Sequence, residues 1–204
     1  NIQGTWDILE AARLTNVKRI IIASTDKAYG EGLFKKETDV LNAIHPYDVS
    51  KLTADKLAHT YLKSYKMNIA ITRCANVFGK GDTNYDRLIP DTILKVQQNI
   101  QPILRSDGKS ERDWLYIKDC INAYLTLAES NKKGAYNFSM EIHISILDIV
   151  NKILQLMNSN LKPEILNIAK NEITKQSLDC TKAHKELNWF PKYTLIEGLK
   201  ETIK

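Results

Sequence analysis

The feature that most constrains the fold is an alternation of helical and strand-like patterns in the first part of the chain. Apolar residues recur at helical spacing over residues 1–15, and a β-branched run follows at 18–24. A second helical pattern covers about 47–65, and the run NIAITRCANV follows at 68–77. The uninterrupted apolar centre of 18–24 is typical of a strand buried on both faces of a parallel sheet. This alternation predicts a doubly wound α/β sheet.

The rest of the chain alternates helices with shorter strands. The predicted helices cover about 88–98, 118–130, the segment SILDIVNKILQLMN and the residues from about 194 onwards. Short strands are predicted around a turn at Asp107-Gly108 and at GAYNFSM. Ser145 and Asp148 are spaced as a capping box, which predicts that a helix begins there.

The distribution of charge excludes some classes of partner. The formal net charge is +5, but Lys and Arg are dispersed apart from short pairs such as Lys35-Lys36 and Lys132-Lys133. A nucleic-acid binder would concentrate that charge on one surface. We therefore expect no nucleic-acid partner and a mild preference for anionic ligands. The sequence has no apolar stretch long enough to cross a bilayer, so no membrane partner is expected either.

Cysteine and histidine usage predicts neither a disulfide framework nor a metal site. Cys74, Cys120 and Cys180 are far apart, odd in number and outside any C-x-x-C pair. The four histidines are isolated from one another. Since the sequence shows no signal peptide either, the predicted location is the reducing cytoplasm.

A Tyr-Lys pair at the start of the long helical pattern is a candidate catalytic feature. Tyr47 and Lys51 are four residues apart, so both side chains lie on one helix face. An ammonium near a phenol favours the phenolate, which lets a tyrosine act as a base. Roughly one such pair is expected by chance in a chain of this composition, and a solvent-facing pair is the alternative.

Hydroxyl, acidic and basic residues follow the first strand directly. Ser24 and Thr25 end the run, and Asp26 and Lys27 come next. Asn76 comes just after the next strand. Ligands of open α/β sheets bind beyond the carboxyl ends of the strands, so these residues are expected to face one crevice. For Asp26 and Lys27, the alternative is an adjacent ion pair that caps a loop.

Several short motifs together identify a family. They are NIQGTWDILEAA, STDKAYG, HPYDVSK, TRCANVFGKGD, RLIPD, RDWLYIKD, YNFS and QSLDCTKAHKELNWFPKYTLIEGLKETI. On these stretches, which extend over essentially the whole chain, the sequence resembles the extended short-chain dehydrogenase/reductase family, and within it the NAD-dependent nucleotide-sugar epimerases and dehydratases. Two stretches, RCANVFGKGD and RLIPD, are most similar to CDP-glucose 4,6-dehydratases and their close relatives. The resemblance implies a Rossmann-type NAD-binding fold, NAD as cofactor, a nucleotide-diphosphate sugar as substrate and a homodimer.

The resemblance also favours dehydration over epimerisation. Epimerases of the family generally carry small residues after the strand-end hydroxyl, whereas 4,6-dehydratases carry an acid and a base there, and TDK matches the Asp-Lys kind. The implied reaction converts an NDP-hexose to an NDP-4-keto-6-deoxyhexose by an internal hydride shuttle through NAD. The alternatives are a nucleotide-sugar 4-epimerase or decarboxylase on the same scaffold, and a non-catalytic NAD-binding regulatory protein.

Roles for individual residues are implied by the same resemblance. In the oxidation at C4, Tyr47 is the implied base, Thr25 bonds the reacting oxygen and Lys51 favours the phenolate. In the elimination, Lys27 removes the C5 proton and Asp26 protonates the departing C6 hydroxyl. The implied cofactor-binding residues are Ser24, Tyr47, Lys51 and Cys74. The implied substrate-binding residues are Asn76, Arg87, Leu88 and Arg112, with a surface ion pair to Glu111 or Asp113 as the alternative for Arg112.

One part of the family pattern does not occur in this sequence. It contains no G-x-G-x-x-G dinucleotide fingerprint, and it begins without an initiator methionine inside a helical pattern. We therefore interpret the chain as an N-terminally truncated Rossmann-type sheet with a small C-terminal α/β substrate-binding region. The predicted division assigns 1–80 and 112–131 to the NAD-binding domain, and 81–111 and 132–204 to the nucleotide-sugar region.

The implied homodimer requires an apolar face. On the long helix that face is predicted to contain Leu57, Ala58 and Tyr61, beside Trp6 and Leu9 of the first helix. A two-fold interface of this kind is isologous.

Overall fold

Each predicted helix is present in the computed structural model, which describes residues 1–169 and 173–204. The helices are α1 (Ile2–Leu14), α2 (Pro46–Ser64), α3 (Leu88–Gln97), α4 (Ile117–Glu129), α5 (Ile146–Leu156), α6 (Thr181–Leu187) and α7 (Leu195–Ile203). A 3₁₀ turn covers Asp26–Tyr29, and neither this turn nor α6 was predicted. No helix within the described ranges is both long enough and apolar enough to cross a membrane.

The strands are longest in the central sheet and short elsewhere. They are β1 (Ile20–Thr25), β2 (Gly32–Lys35), β3 (Ile69–Cys74), β4 (Asn76–Phe78), β5 (Ile103–Leu104), β6 (Glu111–Arg112), β7 (Trp114–Tyr116), β8 (Gly134–Phe138), β9 (Ile144–Ser145), β10 (Glu164–Ile165) and β11 (Lys175–Leu178). The run predicted as one strand at 68–77 forms two, because the chain leaves the central sheet after Cys74 and β4 pairs with β7. The turn at Asp107-Gly108 does not close a hairpin, since β5 pairs with β10 while β6 pairs with β11 and β9.

The central sheet has the order β1-β3-β8, and all its strands are parallel. Every residue of β3 is buried, as expected for a middle strand covered on both faces. The prediction that the first strand is buried on both faces is wrong for β1, where Ala23 is exposed and most other residues are only half-buried. The reason is that β1 has a single strand neighbour among the described residues and forms the edge of this sheet.

Helices cover the central sheet on both faces. Ile69 and Ile71 of β3 pack with Leu9 of α1 and Tyr61 of α2. Ala70, whose side chain points the opposite way along the strand, belongs to the cluster that contains residues of α4 and α6. Burying an aliphatic side chain of this size contributes about 1.5–3 kcal/mol, so β3 anchors both layers. This packing fixes the carboxyl ends of β1 and β3 side by side.

The predicted dimer face needs a correction. Leu9 and Ala58 are fully buried and Tyr61 is 6% exposed, because α1 and α2 pack against each other in this region. These three side chains are therefore part of the core and are not available to a second subunit. Trp6 is 51% exposed, so of the predicted residues it is the one that remains well exposed on the outer surface.

A second sheet brings distant parts of the chain together beside the first. Its order is β2-β11-β6-β9, with β2, β11 and β6 parallel and β9 antiparallel to β6. The predicted division of the chain cuts across both sheets, since β2 lies within 1–80 but pairs with β11. Similarly, β8 lies within 132–204 but pairs with β3, so it belongs to the central sheet. The rest of the division stays a prediction.

Two of the C-terminal helices begin at hydroxyl caps. Ser145 accepts a hydrogen bond from the backbone N–H of Asp148 at 3.0 Å, which confirms that a helix begins there. The reciprocal capping box occurs at Thr194 and Glu197 instead, at the start of α7. Both caps orient helices that pack on the core formed by Phe78, Trp114 and Tyr116, next to the site described below.

Candidate active site

A cleft opens where the central strands end. Thr25, the last residue of β1, is the register partner of Cys74, the last residue of β3. A cavity of about 570 Å³ lies beyond these ends. Its lining includes every residue to which the sequence assigned a role: Ser24, Thr25, Asp26, Lys27, Tyr47, Lys51, Cys74, Asn76, Arg87, Leu88 and Arg112. The fold thus brings all the candidates together, while their individual roles stay predictions.

The cleft continues into a second cavity of about 960 Å³. Lys27, Arg87, Leu88 and Arg112 line both cavities, which makes the two spaces adjacent. The second space extends towards β5 and β10 and includes further basic side chains from Lys95 and Arg105. Asp48, Asp86 and Asp91 also line this second space, so both parts of the cleft have acidic and basic side chains, and we call the second part the elongated end.

The turn after β1 carries the adjacent acid and base. Thr25 caps this 3₁₀ turn, accepting a bond from the backbone N–H of Lys27 at 3.3 Å and donating its hydroxyl to Asp26 Oδ1 at 2.9 Å. Asp26 is 1% exposed, and its Oδ2 has no partner in the described part of the chain. At the end of the turn Gly30 has φ +74°, and a Cβ there would lie 2.5 Å from the Asn42 carbonyl oxygen. Glycine is therefore required at this position.

Lys27 extends from the turn into the cleft. Its Nζ lies 3.6 Å from Asp26 Oδ1 and donates a hydrogen bond to Asn76 Oδ1 at 2.9 Å. Asn76 is fixed in turn, because its Nδ2 donates to the Asp113 carbonyl oxygen at 3.0 Å. The ammonium is thus held between the ends of two strands, with its side chain still 27% exposed to the cleft. An acid–base pair that points into a cavity differs from the alternative of a simple loop cap.

Tyr47 and Lys51 face the same cavity as Thr25. Tyr47 lies in the first turn of α2 and is 57% exposed. Lys51 Nζ donates to the Ala23 carbonyl oxygen at 2.5 Å, which ties α2 to β1. Burial lowers the pKa of Lys51, while the nearby Asp55 carboxylate opposes that shift. The three side chains of the Thr-Tyr-Lys set therefore lie on one side of the sheet.

A buried ion pair supports this side of the cleft. Arg73 of β3 donates to both carboxyl oxygens of Asp55 in α2, at 2.8 and 2.9 Å. The Ser24 hydroxyl donates to the same carboxylate at 2.7 Å. Burial alone raises the pKa of Asp55, but the bonds from Arg73, His59 and Ser24 hold it well below its ordinary value. Ser24, predicted to contact the cofactor, thus has its hydroxyl proton directed towards Asp55.

Two thiols line the inner wall of the cavity. Cys74 is 6% exposed, and its hydrogen bond to Cys120 together with burial raises the pKa of the Cys74 thiol. Cys120, on α4, was not predicted as a site residue, although it directly follows the motif RDWLYIKD. Both cysteines are free thiols. Cys74 accordingly gives this wall an uncharged surface.

The predicted substrate-binding residues lie at the elongated end of the cleft. Arg87 is the N-cap of α3, is exposed, and pairs with Asp82 at 3.0 Å. Leu88 begins α3. Arg112 of β6 donates to the Glu111 carbonyl oxygen at 3.0 Å and lines both cavities. Two guanidinium groups therefore border both cavities, and guanidinium groups are suited to binding phosphate oxygens.

Two acidic residues near the site were missed by the sequence analysis. Asp48 of α2 is 5% exposed and lines the second cavity with Lys27; burial raises its pKa, while Lys27 and His45 act in the opposite direction. Asp113 accepts backbone bonds from Trp114, Ile142 and Leu178 at 2.8, 3.3 and 3.2 Å, and burial raises its pKa to about 7. Both positions lie inside quoted motifs, HPYDVSK and RDWLYIKD, but no spacing pattern there predicts that their carboxyl groups are buried.

Metal ligation has no support in the described ranges. No group of three or more His, Cys, Asp or Glu side chains in that part of the chain could hold a metal ion. Hydroxyl, phenol, carboxyl, amine, amide, guanidinium and thiol groups line the cleft.

Comparison with known proteins gives a consistent set of similarities. The sequence model of the NAD-dependent epimerase/dehydratase family matches residues 1–139. A dTDP-D-glucose 4,6-dehydratase from Bos taurus is 30% identical over 213 residues, an alignment that covers 100% of this chain and 60% of that protein. This chain thus spans about three fifths of the length of that relative.

Solved structures of two activities share the fold. A dTDP-glucose 4,6-dehydratase from Bacillus anthracis in complex with NAD superimposes with a TM-score of 0.92 at 26% identity, covering 99% of this chain and 66% of that one. A UDP-glucose 4-epimerase from Thermotoga maritima with UDP-glucose superimposes with a TM-score of 0.93 at 26% identity, covering 98% of this chain and 67% of that one. The fold is therefore common to dehydratases and epimerases, and the side chains in the cleft have to distinguish them.

Proposed function

This chain belongs to the NAD-dependent epimerase/dehydratase family, and from that membership we propose that the protein is a nucleotide-sugar 4,6-dehydratase. The observation that carries the proposal is the Asp26-Lys27 pair, whose carboxyl and ammonium groups lie 3.6 Å apart at the mouth of the cavity. Thr25, Tyr47 and Lys51 line the same cavity. A 4-epimerase needs the hydroxyl, the phenol and the lysine, but it has no step that uses a further acid and base.

The residues at the strand ends fit a nicotinamide cofactor. Lys51 and Tyr47 project into the cavity from α2, and the uncharged Cys74 thiol forms its inner wall. We infer that Ser24, Tyr47, Lys51 and Cys74 border the nicotinamide end of NAD. When bound, NAD accepts a hydride from the sugar and later returns it.

The oxidation of the sugar depends on three side chains. Tyr47 takes the proton of the C4 hydroxyl, and Thr25 hydrogen-bonds the same oxygen. Lys51, held at 2.5 Å to the Ala23 carbonyl oxygen, keeps its ammonium in the cavity that Tyr47 also lines, where it can assist the removal of this proton. The resulting C4 ketone acidifies the proton on C5.

The loss of water depends on the acid and the base of the turn. Lys27 removes the C5 proton, and Asp26 donates a proton to the C6 oxygen as the C6–O bond breaks. Water leaves, C5 and C6 are joined by a double bond, and hydride return to C6 with proton return to C5 gives the 4-keto-6-deoxy sugar. The elimination therefore requires a proton on the Asp26 carboxyl and a free lone pair on the Lys27 amine at the same time.

The elongated end of the cleft suits the nucleoside diphosphate. Arg87 and Arg112 offer guanidinium groups to diphosphate oxygens, and Leu88 supplies apolar surface beside them. Asn76 is bonded to Lys27 and lines the first cavity. We therefore infer that the sugar lies near Lys27 and the nucleoside extends into the 960 Å³ cavity.

Product mass tests the proposed function. Full-length protein is incubated with NAD and, in turn, with dTDP-, UDP- and CDP-glucose, and the products are weighed by mass spectrometry. Loss of one water is the expected result, and a Tyr47→Phe variant serves as the inactive control. An isomer of unchanged mass would indicate the 4-epimerase, loss of carbon dioxide from the corresponding nucleotide-uronic acids would indicate a decarboxylase, and no reaction would indicate a non-catalytic protein.

A homodimer is proposed on the basis of the apolar surface of α1. Trp6 is 51% exposed and Ile2 is 44% exposed on this helix, which packs beside α2. Large exposed apolar side chains on one helix favour association. Sedimentation of the full-length protein at micromolar concentration should show a dimer that a Trp6→Asp substitution weakens, whereas Val40→Asp, in an exposed loop, should have no effect. A wild-type monomer would contradict the proposal.

A cytoplasmic location is proposed because all three cysteines, Cys74, Cys120 and Cys180, are free thiols. Cell fractionation tests it, and recovery of the protein mainly in a secreted or membrane fraction would contradict it.

A further inference from the structure

One buried side chain connects the second sheet to the turn that carries the acid and the base. Gln176 lies in β11, is 1% exposed, and points towards the Asp26–Tyr29 turn. Its Nε2 donates to the Asp26 carbonyl oxygen at 3.3 Å and to the Gly30 carbonyl oxygen at 3.2 Å. The amide thus spans the first residue of the turn and the residue that follows it.

These two bonds also fix which way the amide faces. Both N–H groups are used on the turn, so the amide oxygen must point away from it. That oxygen is buried and has no hydrogen-bond partner in the described ranges, although Gln176 lines the second cavity with Lys27 and Arg112. Arg112 is also its register partner across β6 and β11. Gln176 therefore lies between the catalytic turn and the predicted diphosphate-binding end of the cleft.

Within the turn itself, few bonds resist a change in shape. Gly30 N–H donates to the Lys27 carbonyl oxygen at 3.1 Å, and Thr25 Oγ1 accepts from the Lys27 N–H at 3.3 Å. Both are internal to the segment. From outside it, the Tyr29 hydroxyl is bonded to Asn137 and Arg73 at 2.8 Å each, and Lys27 Nζ is bonded to Asn76 at 2.9 Å. These bonds hold side chains, whereas Gln176 holds backbone carbonyl oxygens of the segment. The Gln176 amide is an attachment that reaches the turn from another sheet.

We propose that Gln176 is a positioning residue for the elimination step, holding the turn so that the Asp26 carboxyl and the Lys27 amine meet C6 and C5 of the bound sugar. This inference rests on the proposed function. Tyr47 and Lys51 lie on α2, and the Thr25 backbone is held in β1 by its pairing with β3, so the phenol, the lysine and the strand that carries the Thr25 hydroxyl are held independently of Gln176. Loss of the amide should therefore impair one half of the reaction and leave the other intact.

Single-turnover kinetics with Gln176→Leu separates the two halves. Full-length protein with bound NAD is mixed with the nucleotide-glucose that the wild type converts, and NADH is followed by its near-ultraviolet absorbance while 4-keto-6-deoxy product is followed by mass. NADH should form within about twofold of the wild-type rate, and product formation should fall on the order of 10²-fold, because displacements of about 1 Å have that effect. NADH should consequently accumulate.

Ser177→Ala is the matched control. Ser177 is the next residue of β11, is fully buried, and accepts a bond from the Phe34 N–H at 2.8 Å in β2 rather than from the turn. This variant loses a buried hydrogen bond of the same sheet, so it should show the same loss of thermal stability as Gln176→Leu without NADH accumulation.

The possible results distinguish a failure of the Gln176 proposal from a failure of the proposed dehydratase function. If NADH formation and product formation fall together in Gln176→Leu, or if Ser177→Ala accumulates NADH equally, the amide is only structural and the inference is wrong while the dehydratase assignment stands. If the wild type forms no 4-keto-6-deoxy product from any nucleotide-glucose, the proposed function is wrong and the inference fails with it.

Discussion

At the scale of single residues, Lys27 is the side chain that most distinguishes this cleft. Its ammonium lies 3.6 Å from Asp26 Oδ1 and is bonded to Asn76 at 2.9 Å, so its position is fixed by partners on two strands. If Lys27 were only a surface partner of Asp26, its ammonium would not be expected to bond to Asn76 as well. The geometry therefore favours a role in proton transfer.

Replacing Lys27 by Met should stop the loss of water but not the oxidation at C4. Removing a general base typically lowers the rate by about 10²–10⁴. Because Thr25, Tyr47 and Lys51 remain, NADH should accumulate, and deuterium from the solvent should no longer appear at C5. Lys80→Met, at an exposed loop position, serves as the control. Turnover close to the parent rate in Lys27→Met would remove this residue from the mechanism.

Asp113 should make stability depend on pH in an unusual direction. Burial raises its pKa from 3.8 to about 7, so the folded protein binds a proton that the unfolded chain has released. Its stabilising contribution is full below pH 3.8 and is lost as the pH rises towards 7. At about 1.4 kcal/mol per pKa unit, the change is on the order of 4 kcal/mol.

Urea unfolding of wild type and Asp113→Asn from pH 4 to 8 measures this contribution. The neutral amide cannot ionise, so the variant should gain stability relative to the wild type as the pH rises. The other carboxyl groups titrate in both proteins, so their effect on the free energy of unfolding cancels in the difference. Asp7→Asn, on the exposed face of α1, is the control for removing one negative charge. A stability difference independent of pH would show that Asp113 does not titrate in this range.

At the scale of elements, the buried pair between Asp55 and Arg73 joins α2 to β3 below the cleft. Both side chains are almost fully buried, so removing one partner leaves a charge without compensation. Because Asp55 also receives the Ser24 hydroxyl, the same carboxylate links α2 to β1. The position of Tyr47 and Lys51 relative to Thr25 therefore depends on the contacts of the Asp55 carboxylate with Arg73 and Ser24.

Arg73→Met should lower the free energy of unfolding by about 3–5 kcal/mol at neutral pH. The physical reason is the buried Asp55 carboxylate that would be left unpaired. Chemical denaturation measures the change, and Arg13→Met provides the contrast, since the Arg13–Glu10 pair lies in the exposed part of α1 and should contribute little. Equal decreases in the free energy of unfolding in the two variants would mean that burial of the Asp55–Arg73 pair does not increase its contribution to stability.

How much could be predicted from the sequence differs between elements. The helices and the pairing of β1 with β3 followed from long, strongly patterned segments. The sheet β2-β11-β6-β9 did not, because strands of two to four residues carry too little periodicity and their partners lie far away in sequence. Gln176 and Asp113 lie inside family motifs but were given no role in the site, because their contacts are with segments that are distant in the chain. Burial of β1 was overestimated because its composition does not reveal an edge.

At the scale of the whole molecule, the two sheets differ in how far apart their strands lie in the chain. β1 and β3 are separated by residues 26–68, whereas β2 and β11 are joined across the much longer segment 36–174. Closing a long loop lowers the conformational entropy of the chain before the contacts between its ends can form and stabilise it. The second sheet should therefore form later than the first.

Refolding of the full-length protein from urea should therefore show two stages. Far-ultraviolet circular dichroism should recover first, as the helices and the central sheet form. Dehydratase activity should recover later, together with protection of the Gln176 and Leu178 amides from hydrogen exchange. Simultaneous recovery of all three signals would contradict this order.

The same separation has a consequence for synthesis on the ribosome. A nascent chain that has emerged only as far as Gly134–Phe138 already contains Thr25, Tyr47 and Lys51 and all three strands of the central sheet. It does not yet contain Gln176, so the turn with Asp26 and Lys27 has no attachment to a second sheet. The capacity to abstract protons at C5 should thus be among the last properties that the growing polypeptide acquires, after its capacity to oxidise at C4.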